Sequence, residues 1–308
     1  MSSVVNAHTH LEQSWLAEIR PGPEGLPFPT WIGRLIERGR ALRASGLAEQ
    51  TRWRAVERGI EALLAAGTTH MGDISPAGVS IEPLLDSGLA GVVYVELYGL
   101  DRQQWQPMFE RARQLIEQYR PQERNGMCLG LTVHAPYSTH AEAFRAASAY
   151  CLREEVPLCI HAAESPYEHQ ALLEGKGPLY ELYAGLSQRP LDPPGLTPIQ
   201  YLESLGVLEC RPLLIHVTQV SDEELDIIAR TGCKVAHCPR SNQLLQCGRM
   251  PLEKMLARGI PVALGTDSLG SSPSLDVREE AEAAVQLHQG KIGAEVIHSL
   301  LGNYHVLL

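Results

Sequence analysis

The chain has 308 residues, and its 26 Lys and Arg against 36 Asp and Glu give a formal net charge of −10. With 44% hydrophobic and 20% charged residues, the composition excludes a disordered chain and is typical of a protein with a large core. The acidic balance excludes a nucleic-acid-binding surface, and no apolar run approaches the roughly 20 residues of a membrane-spanning helix.

Short β-branched or apolar runs alternate with amphipathic helical patterns along the chain. The predicted strands cover residues 3–7, 68–74, 91–97, 128–133, 156–160, 212–217, 233–236 and 261–265. The predicted helices cover residues 51–66, 104–119, 141–155, 197–205, 221–231, 252–258, 275–289 and 294–301. This alternation indicates a parallel sheet, either closed as a barrel or open and doubly wound.

Two observations favour the barrel. Neither of the glycine-rich phosphate-binding motifs of open nucleotide-binding sheets is present, which disfavours the doubly wound alternative. The longest insertions, residues 12–50 and 165–198, each follow a predicted strand, on the face where barrels build their sites. We therefore predict a (β/α)8, TIM-like barrel, with residues 1–308 as one domain.

The cysteines and the N-terminal residues indicate the cellular compartment of the protein. The seven cysteines are odd in number, scattered and without a C-x-x-C pair, which favours reduced thiols over a disulfide framework. The chain does not begin with a basic segment followed by an apolar stretch, so we expect no signal peptide. Both observations predict a cytoplasmic location.

Residues with metal-ligand or acid–base chemistry stand at the carboxyl ends of the predicted strands. They are His8, His10, His134, His161, Glu164, His216, His237 and Asp267. Residues two apart on a strand point to the same side, so His8 and His10 can hold one ion together. A barrel gathers its strand ends around one axis, and a set of imidazoles with a carboxylate suits zinc or ferrous iron.

Each of these residues also has a simpler interpretation. A lone H-x-H is more often chance or core packing, and Asp267 is a good helix N-cap. Several predicted strands carry such residues at the same end. One shared site explains this pattern better than several independent coincidences of residue placement.

The motifs around these residues resemble the amidohydrolase superfamily, and within it the branch of adenosine-type deaminases and chlorohydrolases. The matching stretches are VNAHTHLE (5–12), AGTTHMGD (66–73), HAPYS (134–138), HAAE (161–164), HCPRSN (237–242) and LGTDS (264–268). They occur in this order over essentially the whole chain, which makes the resemblance specific.

The resemblance implies a metal-dependent hydrolase site with one divalent ion, Zn²⁺ before Fe²⁺. The residues that match the ligand positions are His8, His10, His161 and Asp267. No Lys ends the fourth predicted strand to be carbamylated as a bridging ligand, so the mononuclear form of the site is expected.

The resemblance also implies catalytic roles. Asp267 is expected to accept a proton from the attacking water, and His216 to orient that water. Glu164 is expected to contact the substrate and protonate its ring nitrogen, and His134 to bind the substrate.

Four other positions keep two interpretations each. His237 lies near the substrate or packs behind the site, and Arg240 shapes a loop or reaches a polar substituent. Trp31 and Glu12, in the first insertion, are pocket residues or part of a surface lid.

By this resemblance the chain is a hydrolytic deaminase of an aminopurine nucleoside, of the aminodeoxyfutalosine or methylthioadenosine/S-adenosylhomocysteine kind. Its partner is a small-molecule substrate, without nucleic acid or membrane, and it acts as a monomer or a homo-oligomer. Guanine deamination and triazine hydrolysis or dechlorination remain alternatives, because they share the metal site and differ in leaving group and pocket. A non-catalytic metal-binding barrel fragment is the alternative from another class, and the acid Glu164 argues against it.

The resemblance also brings an expectation about the flanks of the barrel. Relatives usually carry a small β-sandwich built from segments before the first strand and after the last helix. Only seven residues precede His8, and about two predicted helices follow Asp267. We therefore expect a barrel that lacks most or all of the sandwich.

Overall fold

Eight short strands form one parallel sheet in residues 3–187 and 191–307, the part of the chain that the computed structural model describes. The strands are β1 Val5–Thr9, β2 His70–Ser75, β3 Ala90–Leu97, β4 Met127–Val133, β5 Leu158–Ala162, β6 Leu213–His216, β7 Lys234–His237 and β8 Val262–Leu264. They lie side by side in chain order. All eight predicted strands are present, with boundaries that shift by a few residues.

The sheet closes on itself between its first and last strands. The N–H of Asp267 donates to the carbonyl oxygen of His8 at 2.9 Å, and Thr9 forms a parallel bridge with Asp267. The predicted (β/α)8 barrel is therefore confirmed, and the open doubly wound alternative is wrong.

Helices cover the outside of the barrel. They are α1 Phe28–Ala44, α2 Ala48–Ala65, α3 Ile81–Asp86, α4 Arg102–Tyr119, α5 Ala141–Glu154, α6 Pro166–Glu174, α7 Pro178–Leu186, α8 Pro198–Ser204, α9 Asp222–Thr231, α10 Pro239–Leu244, α11 Leu252–Ala257, α12 Val277–Leu287 and α13 Ala294–Ser299. Short 3₁₀ helices lie at Leu11–Ile19, Arg120–Gln122, Val207–Cys210, Leu300–Gly302 and Tyr304–Leu307. Among the described helices, none has the length and apolarity that crossing a bilayer requires.

Local sequence explains where the best-defined helices begin and end. Before α9, the Ser221 hydroxyl accepts the N–H of Glu224 at 3.2 Å, and the Glu224 carboxylate accepts the N–H of Ser221 at 2.9 Å. This capping box satisfies two backbone donors that a helix start leaves free. The helix ends at Gly232, whose φ of 72° lies in the left-handed region that favours glycine.

The first insertion is more ordered than its many Pro and Gly residues indicate. Residues 12–50 contain the 3₁₀ helix Leu11–Ile19, all of α1 and the beginning of α2. Helix α1 buries Phe28, Trp31 and Ile32, a spacing that places them on one helical face. The partly buried Leu35 and Ile36 continue this face, so the helix has an apolar stripe of helical spacing inside a segment that the sequence analysis treats as an insertion.

The core has an outer and an inner part. The outer cluster lies between the sheet and the helices, and the inner cluster fills the barrel with side chains such as Val5, Val92 and Tyr94. The 3₁₀ segment Tyr304–Leu307 packs into the inner cluster through Val306 and Leu307. The Tyr94 hydroxyl donates to the carbonyl oxygen of Leu307 at 3.3 Å, which ties this segment to the inside of β3.

All seven cysteines are free thiols. Five of them are buried, and burial raises the pKa of Cys128, which is half-buried, to about 11 and that of Cys233 to about 11. The five buried thiols are small hydrophobic core residues in this fold.

Candidate active site

Five polar side chains meet at the carboxyl end of the barrel, although they are far apart in sequence. His8 and His10 stand at the end of β1, His161 in β5, His216 at the end of β6, and Asp267 just after β8. All five are buried. Closure of the barrel brings these strand ends around one axis, which is the placement that the sequence predicts.

The backbone is strained where it delivers these groups. Four of the eight described non-glycine residues with a positive φ lie here: Ala163 (52°), His216 (76°), Val217 (48°) and Asp267 (63°). Such angles cost of order 1–3 kcal/mol each and persist where the surrounding structure enforces them. Their location at the ends of β5, β6 and β8 is typical of a functional site rather than of ordinary turns.

The ring nitrogens of the histidines and the Asp267 carboxylate converge on one small space. His10 Nε2 lies 3.3 Å from His161 Nε2 and 3.5 Å from Asp267 Oδ1. His8 Nε2 lies 3.4 Å from the same Asp267 oxygen. Candidate ligand atoms of His8, His10 and His161 are all within 4.8 Å of one another, as are those of His8, His216 and Asp267.

The hydrogen bonds of this cluster fit a metal ion. His161 Nδ1 donates to the carbonyl oxygen of His134 at 3.0 Å, so its neutral ring presents the Nε2 lone pair to the cluster. His8 Nε2 is buried without a hydrogen-bond partner, although a buried polar atom normally has one. Lone pairs that face one another beside a carboxylate are the donor set of a divalent cation.

Burial and nearby charges keep His10 and His161 neutral and Asp267 ionised, which are the forms that bind a metal ion. Burial, with His8 as the next cause, lowers the pKa of His10 and of His161 well below the usual value, so both rings are neutral. Burial alone would raise the pKa of Asp267, but the hydrogen bond and charge of His8 hold it well below its usual range. Asp267 is therefore a carboxylate.

Serines that the sequence analysis did not assign hold this carboxylate in place. The hydroxyls of Ser241 and Ser271 donate to Asp267 Oδ2 at 2.6 and 2.9 Å, and the N–H of Ser268 donates to Oδ1 at 2.7 Å. Ser241 and Ser268 lie within the quoted motifs, whereas nothing in the sequence around Ser271 distinguishes it from a loop serine.

Glu164 and His216 face each other beside the cluster. His216 Nε2 lies 3.5 Å from Glu164 Oε1, and His216 Nδ1 donates to Asn242 Oδ1 at 2.9 Å. Burial lowers the pKa of His216 to about 4, so its ring is neutral with Nε2 as an acceptor. Burial and then Asp267 raise the pKa of Glu164 well above its usual value, which keeps a proton on this carboxyl.

A cavity of about 320 Å³ lies next to the cluster and has His134 in its wall. The His134 ring lies 5.1 Å from the ring of His161, centre to centre. Its Nδ1 bonds Ser138 Oγ at 2.6 Å, and that hydroxyl donates to the carbonyl oxygen of Ala135, so Nδ1 is the donor and Nε2 remains an acceptor. Burial lowers the pKa of His134 to about 4, and the neutral ring suits contact with a substrate donor.

The structure places Glu12 in the wall of the cavity, whereas Trp31 is not among the described residues that line it. Glu12 lines the cavity and is fully buried. Its carboxylate accepts hydrogen bonds from the backbone N–H groups of Ala77 and Val79 at 2.9 and 2.8 Å, and a third from the hydroxyl of Ser75. Trp31 is buried and its Nε1 donates to the carbonyl oxygen of Gly270 at 2.8 Å. Neither belongs to a surface lid.

His237 and Arg240 pack behind the site. His237 is fully buried with Nε2 3.2 Å from His288 Nε2. Arg240 Nε donates to Glu280 Oε1 at 2.6 Å, and its backbone N–H donates to Glu280 Oε2 at 3.0 Å. This pairing ties α10 to α12, so the loop-shaping interpretation of Arg240 and the packing interpretation of His237 hold.

An eight-stranded parallel barrel with a buried His and Asp cluster at its carboxyl end defines a class of proteins that can hold a divalent metal at this face. Residues 1–300 match the family model described as the amidohydrolase family, and the chain belongs to that family.

Among similar proteins, an aminodeoxyfutalosine deaminase of Deinococcus radiodurans is 38% identical over 93% of this chain and 68% of its own length. A 5-methylthioadenosine/S-adenosylhomocysteine deaminase of Carboxydothermus hydrogenoformans is 28% identical over 94% of this chain and 61% of its own length. Among solved structures, the zinc complex of an atrazine chlorohydrolase from Arthrobacter aurescens superposes with a TM-score of 0.83 at 18% identity, covering 100% of this chain and 71% of that one.

The chain thus spans about two thirds of the length of the two curated relatives that it matches. The described residues contain one sheet, the barrel.

Proposed function

We propose that this chain is a hydrolytic deaminase of an aminopurine nucleoside. The observation that carries the proposal is the placement of two buried carboxyls, Glu164 and Asp267, beside one cluster of imidazoles, with the pKa of Glu164 raised and that of Asp267 lowered. Two carboxyls in opposite states are what acid–base hydrolysis at neutral pH requires. The activities of the two similar deaminases, from Deinococcus radiodurans and Carboxydothermus hydrogenoformans, favour an adenine nucleoside as the substrate.

We assign His8, His10, His161 and Asp267 as the ligands of one zinc ion. The three imidazoles and one carboxylate are donors that zinc prefers, and the solved structure of the chlorohydrolase neighbour is a zinc complex. A zinc ion held there supplies a nucleophile at neutral pH, because it lowers the pKa of water to about 7.

The first half of the reaction adds water to the carbon that bears the amino group. The Asp267 carboxylate accepts one proton of the water, and His216 Nε2 accepts a hydrogen bond from it and fixes its direction. Glu164 donates its proton to the adjacent ring nitrogen as the new C–O bond forms, so the ring carbon becomes tetrahedral.

The second half expels ammonia. Asp267 returns the proton to the amino group, and the C–N bond breaks with its electron pair on nitrogen. The Glu164 carboxylate takes the remaining hydroxyl proton as the C=O bond forms. Both carboxyls then regain their starting protonation states, and the net change is replacement of an amine by a carbonyl oxygen.

The experiment is ammonia release by the zinc-loaded protein across adenine nucleosides, guanine and amino- or chlorotriazines, with wild type beside Glu164→Gln. We expect release from an adenine nucleoside, and a loss of turnover of about 10²- to 10⁴-fold in Glu164→Gln, as for a lost general acid. Glu174→Gln, an exposed carboxyl of α6, is the matched control.

Three results would count against the proposal. Release only from guanine, or chloride release from a triazine, would assign the alternative chemistry. Full turnover by Glu164→Gln would remove this acid from the mechanism. Silence across the panel with one zinc ion bound would favour a non-catalytic metal-binding barrel.

A further inference from the structure

His10 is a candidate metal ligand whose ring lacks an orienting hydrogen bond. His161 Nδ1 donates to the carbonyl oxygen of His134, and His216 Nδ1 donates to Asn242 Oδ1. His10 Nε2 faces the cluster, 3.3 Å from His161 Nε2, whereas its Nδ1 is buried and has no hydrogen-bond partner among the described residues. A histidine that binds a metal normally donates its other ring N–H to a protein acceptor, which fixes the ring. Another part of the structure must therefore position His10.

The strand that carries His10 is irregular at this point. The pairing of β1 with β2 shifts register between Asn6 and Thr9, which is the sign of a bulge, and a bulge interrupts the ladder of hydrogen bonds that would hold the strand. The 3₁₀ helix Leu11–Ile19 begins directly after His10, and His10 gives it no side-chain cap. His10 thus lies at a junction that neither the sheet nor the helix fixes by itself.

One buried carboxyl, that of Asp73 in β2, holds the chain on both sides of His10. Asp73 Oδ1 accepts a hydrogen bond from the backbone N–H of Leu11 at 2.8 Å and another from the hydroxyl of Thr9 at 3.0 Å. Asp73 Oδ2 accepts a hydrogen bond from the hydroxyl of Ser80 at 2.6 Å, so both oxygens have partners. Asp73, Leu11, Thr9 and Ser80 are all buried. The residues immediately before and after His10 are therefore tied to one side chain of the neighbouring strand.

We propose that Asp73 is a positioning residue that holds His10 in the geometry of the metal site. The proposal rests on the proposed function, because that function assigns His10 as a zinc ligand. Asp73 acts through the backbone rather than on the substrate, since it is not among the described residues that line the cavity. Removal of its carboxyl would leave the Leu11 N–H buried without an acceptor and free the Thr9 hydroxyl, so this segment would shift and move the His10 ring with it.

The test measures the Kd for zinc of the metal-free protein by competition with a chromophoric chelator. Asp73→Ala removes both contacts to the segment, whereas Asp73→Asn keeps an oxygen that accepts from Leu11 and Thr9. Glu224→Ala is the matched control, because Glu224 is a buried carboxyl that accepts the backbone N–H of Ser221 at 2.9 Å, at the start of α9. Urea denaturation of the metal-free variants measures the stability that each change removes.

We expect Asp73→Ala to raise the zinc Kd by about 10- to 100-fold, the usual effect of losing a partner that orients a metal ligand. Asp73→Asn should recover most of this loss. Glu224→Ala should lower stability in urea but keep the wild-type Kd, which separates positioning from general destabilisation. A wild-type Kd in Asp73→Ala, or an equal loss of affinity in Glu224→Ala, would overturn the proposal.

Kinetics at saturating zinc give a second readout. The kcat of Asp73→Ala for ammonia release should fall while KM stays close to that of wild type, because Asp73 is not among the described residues that line the cavity. A rise in KM with an unchanged kcat would instead assign Asp73 to substrate binding and contradict the positioning role.

Thr9→Val decides the question if Asp73→Ala does not fold. This change removes only the hydroxyl that donates to Asp73 Oδ1 and lies 3.1 Å from the carbonyl oxygen of Gly72. We expect a zinc Kd above that of wild type, and an unchanged Kd would count against the proposal.

Failure of the two proposals can be told apart. If the wild-type chain binds no zinc, the ligand assignment of the proposed function fails, and the positioning role fails with it. If wild type binds one zinc ion and Asp73→Ala binds it equally well, the ligand assignment stands and only the positioning role fails.

Discussion

At the scale of residues, the site depends on neighbours that set protonation and orientation. Burial favours the protonated form of both Glu164 and Asp267. The charge of Asp267 raises the pKa of Glu164 further, whereas the hydrogen bond and charge of His8 hold the pKa of Asp267 well below its usual range. Position in the cluster, rather than residue type, decides which one is the acid and which the base.

His161→Ala should release the metal. The variant removes one of three imidazoles, and the ring lost is the one whose Nδ1 hydrogen bond aims its lone pair at His10. We expect the variant to hold well under one equivalent of zinc after dialysis, measured by elemental analysis, whereas wild type holds one. His298→Ala, an exposed histidine of α13, should bind zinc like wild type, and a fully loaded His161→Ala would refute the ligand assignment.

Asn242→Ala should reduce turnover without loss of metal. Asn242 Oδ1 accepts a hydrogen bond from His216 Nδ1, and its removal frees the ring to rotate or to move its proton to Nε2. Orienting partners of this kind are worth about 10- to 100-fold, so we expect a fall in kcat of that size with the zinc content unchanged. Asn242→Asp, which keeps an acceptor oxygen, should restore part of the rate.

The exposed neighbour on the same helix provides the control for this prediction. Gln243→Ala should leave kcat unchanged, since Gln243 is exposed. A wild-type kcat in Asn242→Ala would show that the barrel alone orients His216.

At the scale of elements, the polar groups of the site stand at the ends of β1, β5, β6 and β8. Helix α10 supplies two of the side chains that hold them, Ser241 and Asn242. The 3₁₀ segment Tyr304–Leu307 does not supply a site residue. It packs inside the barrel, where it contacts β1, β2, β3, β7 and β8. The site stands at the carboxyl ends of the same strands, so this packing contributes to the rigidity of the barrel beneath the site.

Val306→Ala should therefore destabilise the fold. The side chain is fully buried in the inner cluster, and removing its two methyl groups leaves a cavity that neighbours fill only in part. We expect the free energy of unfolding to fall by about 1–3 kcal/mol, measured by urea denaturation. His305→Ala, next to it but exposed, should change stability by less than about 0.5 kcal/mol; an equal loss in both would mean that the segment does not support the barrel.

At the scale of the whole molecule, the buried carboxyls make stability depend on pH. Burial raises the pKa of Asp73 to about 7, and those of Glu96 and Glu168 to about 8. In the unfolded chain these groups release their protons near pH 4, so between about pH 4 and 8 the folded state holds more protons. The stability that these carboxyls contribute is complete at acid pH and is lost as the pH rises to about 8.

Glu96→Gln should flatten this dependence. Between pH 5 and 8 its free energy of unfolding should fall less steeply than that of wild type, by up to about 1.4 kcal/mol per pH unit for one proton. The measurement is urea denaturation of the metal-free proteins, so that metal affinity does not contribute. Glu82→Gln, an exposed carboxyl of α3, should keep the wild-type slope, and the same slope in Glu96→Gln would contradict the shift.

Much of the fold follows from local pattern. The eight buried strands are visible as short apolar runs because a parallel sheet is covered on both faces, and the capping box at Ser221 marks the start of α9. Helix α1 is not predicted, because its four arginines and two glycines interrupt its apolar residues. In the structure it packs against the 3₁₀ helix Leu11–Ile19 and against α7, contacts that local sequence does not report.

By itself, the sequence determined the order of strands and helices and the barrel class, because periodicity and motif spacing are local properties of the chain. It also grouped the candidate site residues, which are His8, His10, His161, Glu164, His216 and Asp267. Only the tertiary structure decided which atoms face one another. It shows that Ser241, Ser271 and Asn242 support the site. It also shows that Arg240 pairs with Glu280 and that arginines of α1 and α2 line the cavity. The physical reason is that burial, protonation and hydrogen bonding depend on groups distant in sequence, which closure of the barrel brings together.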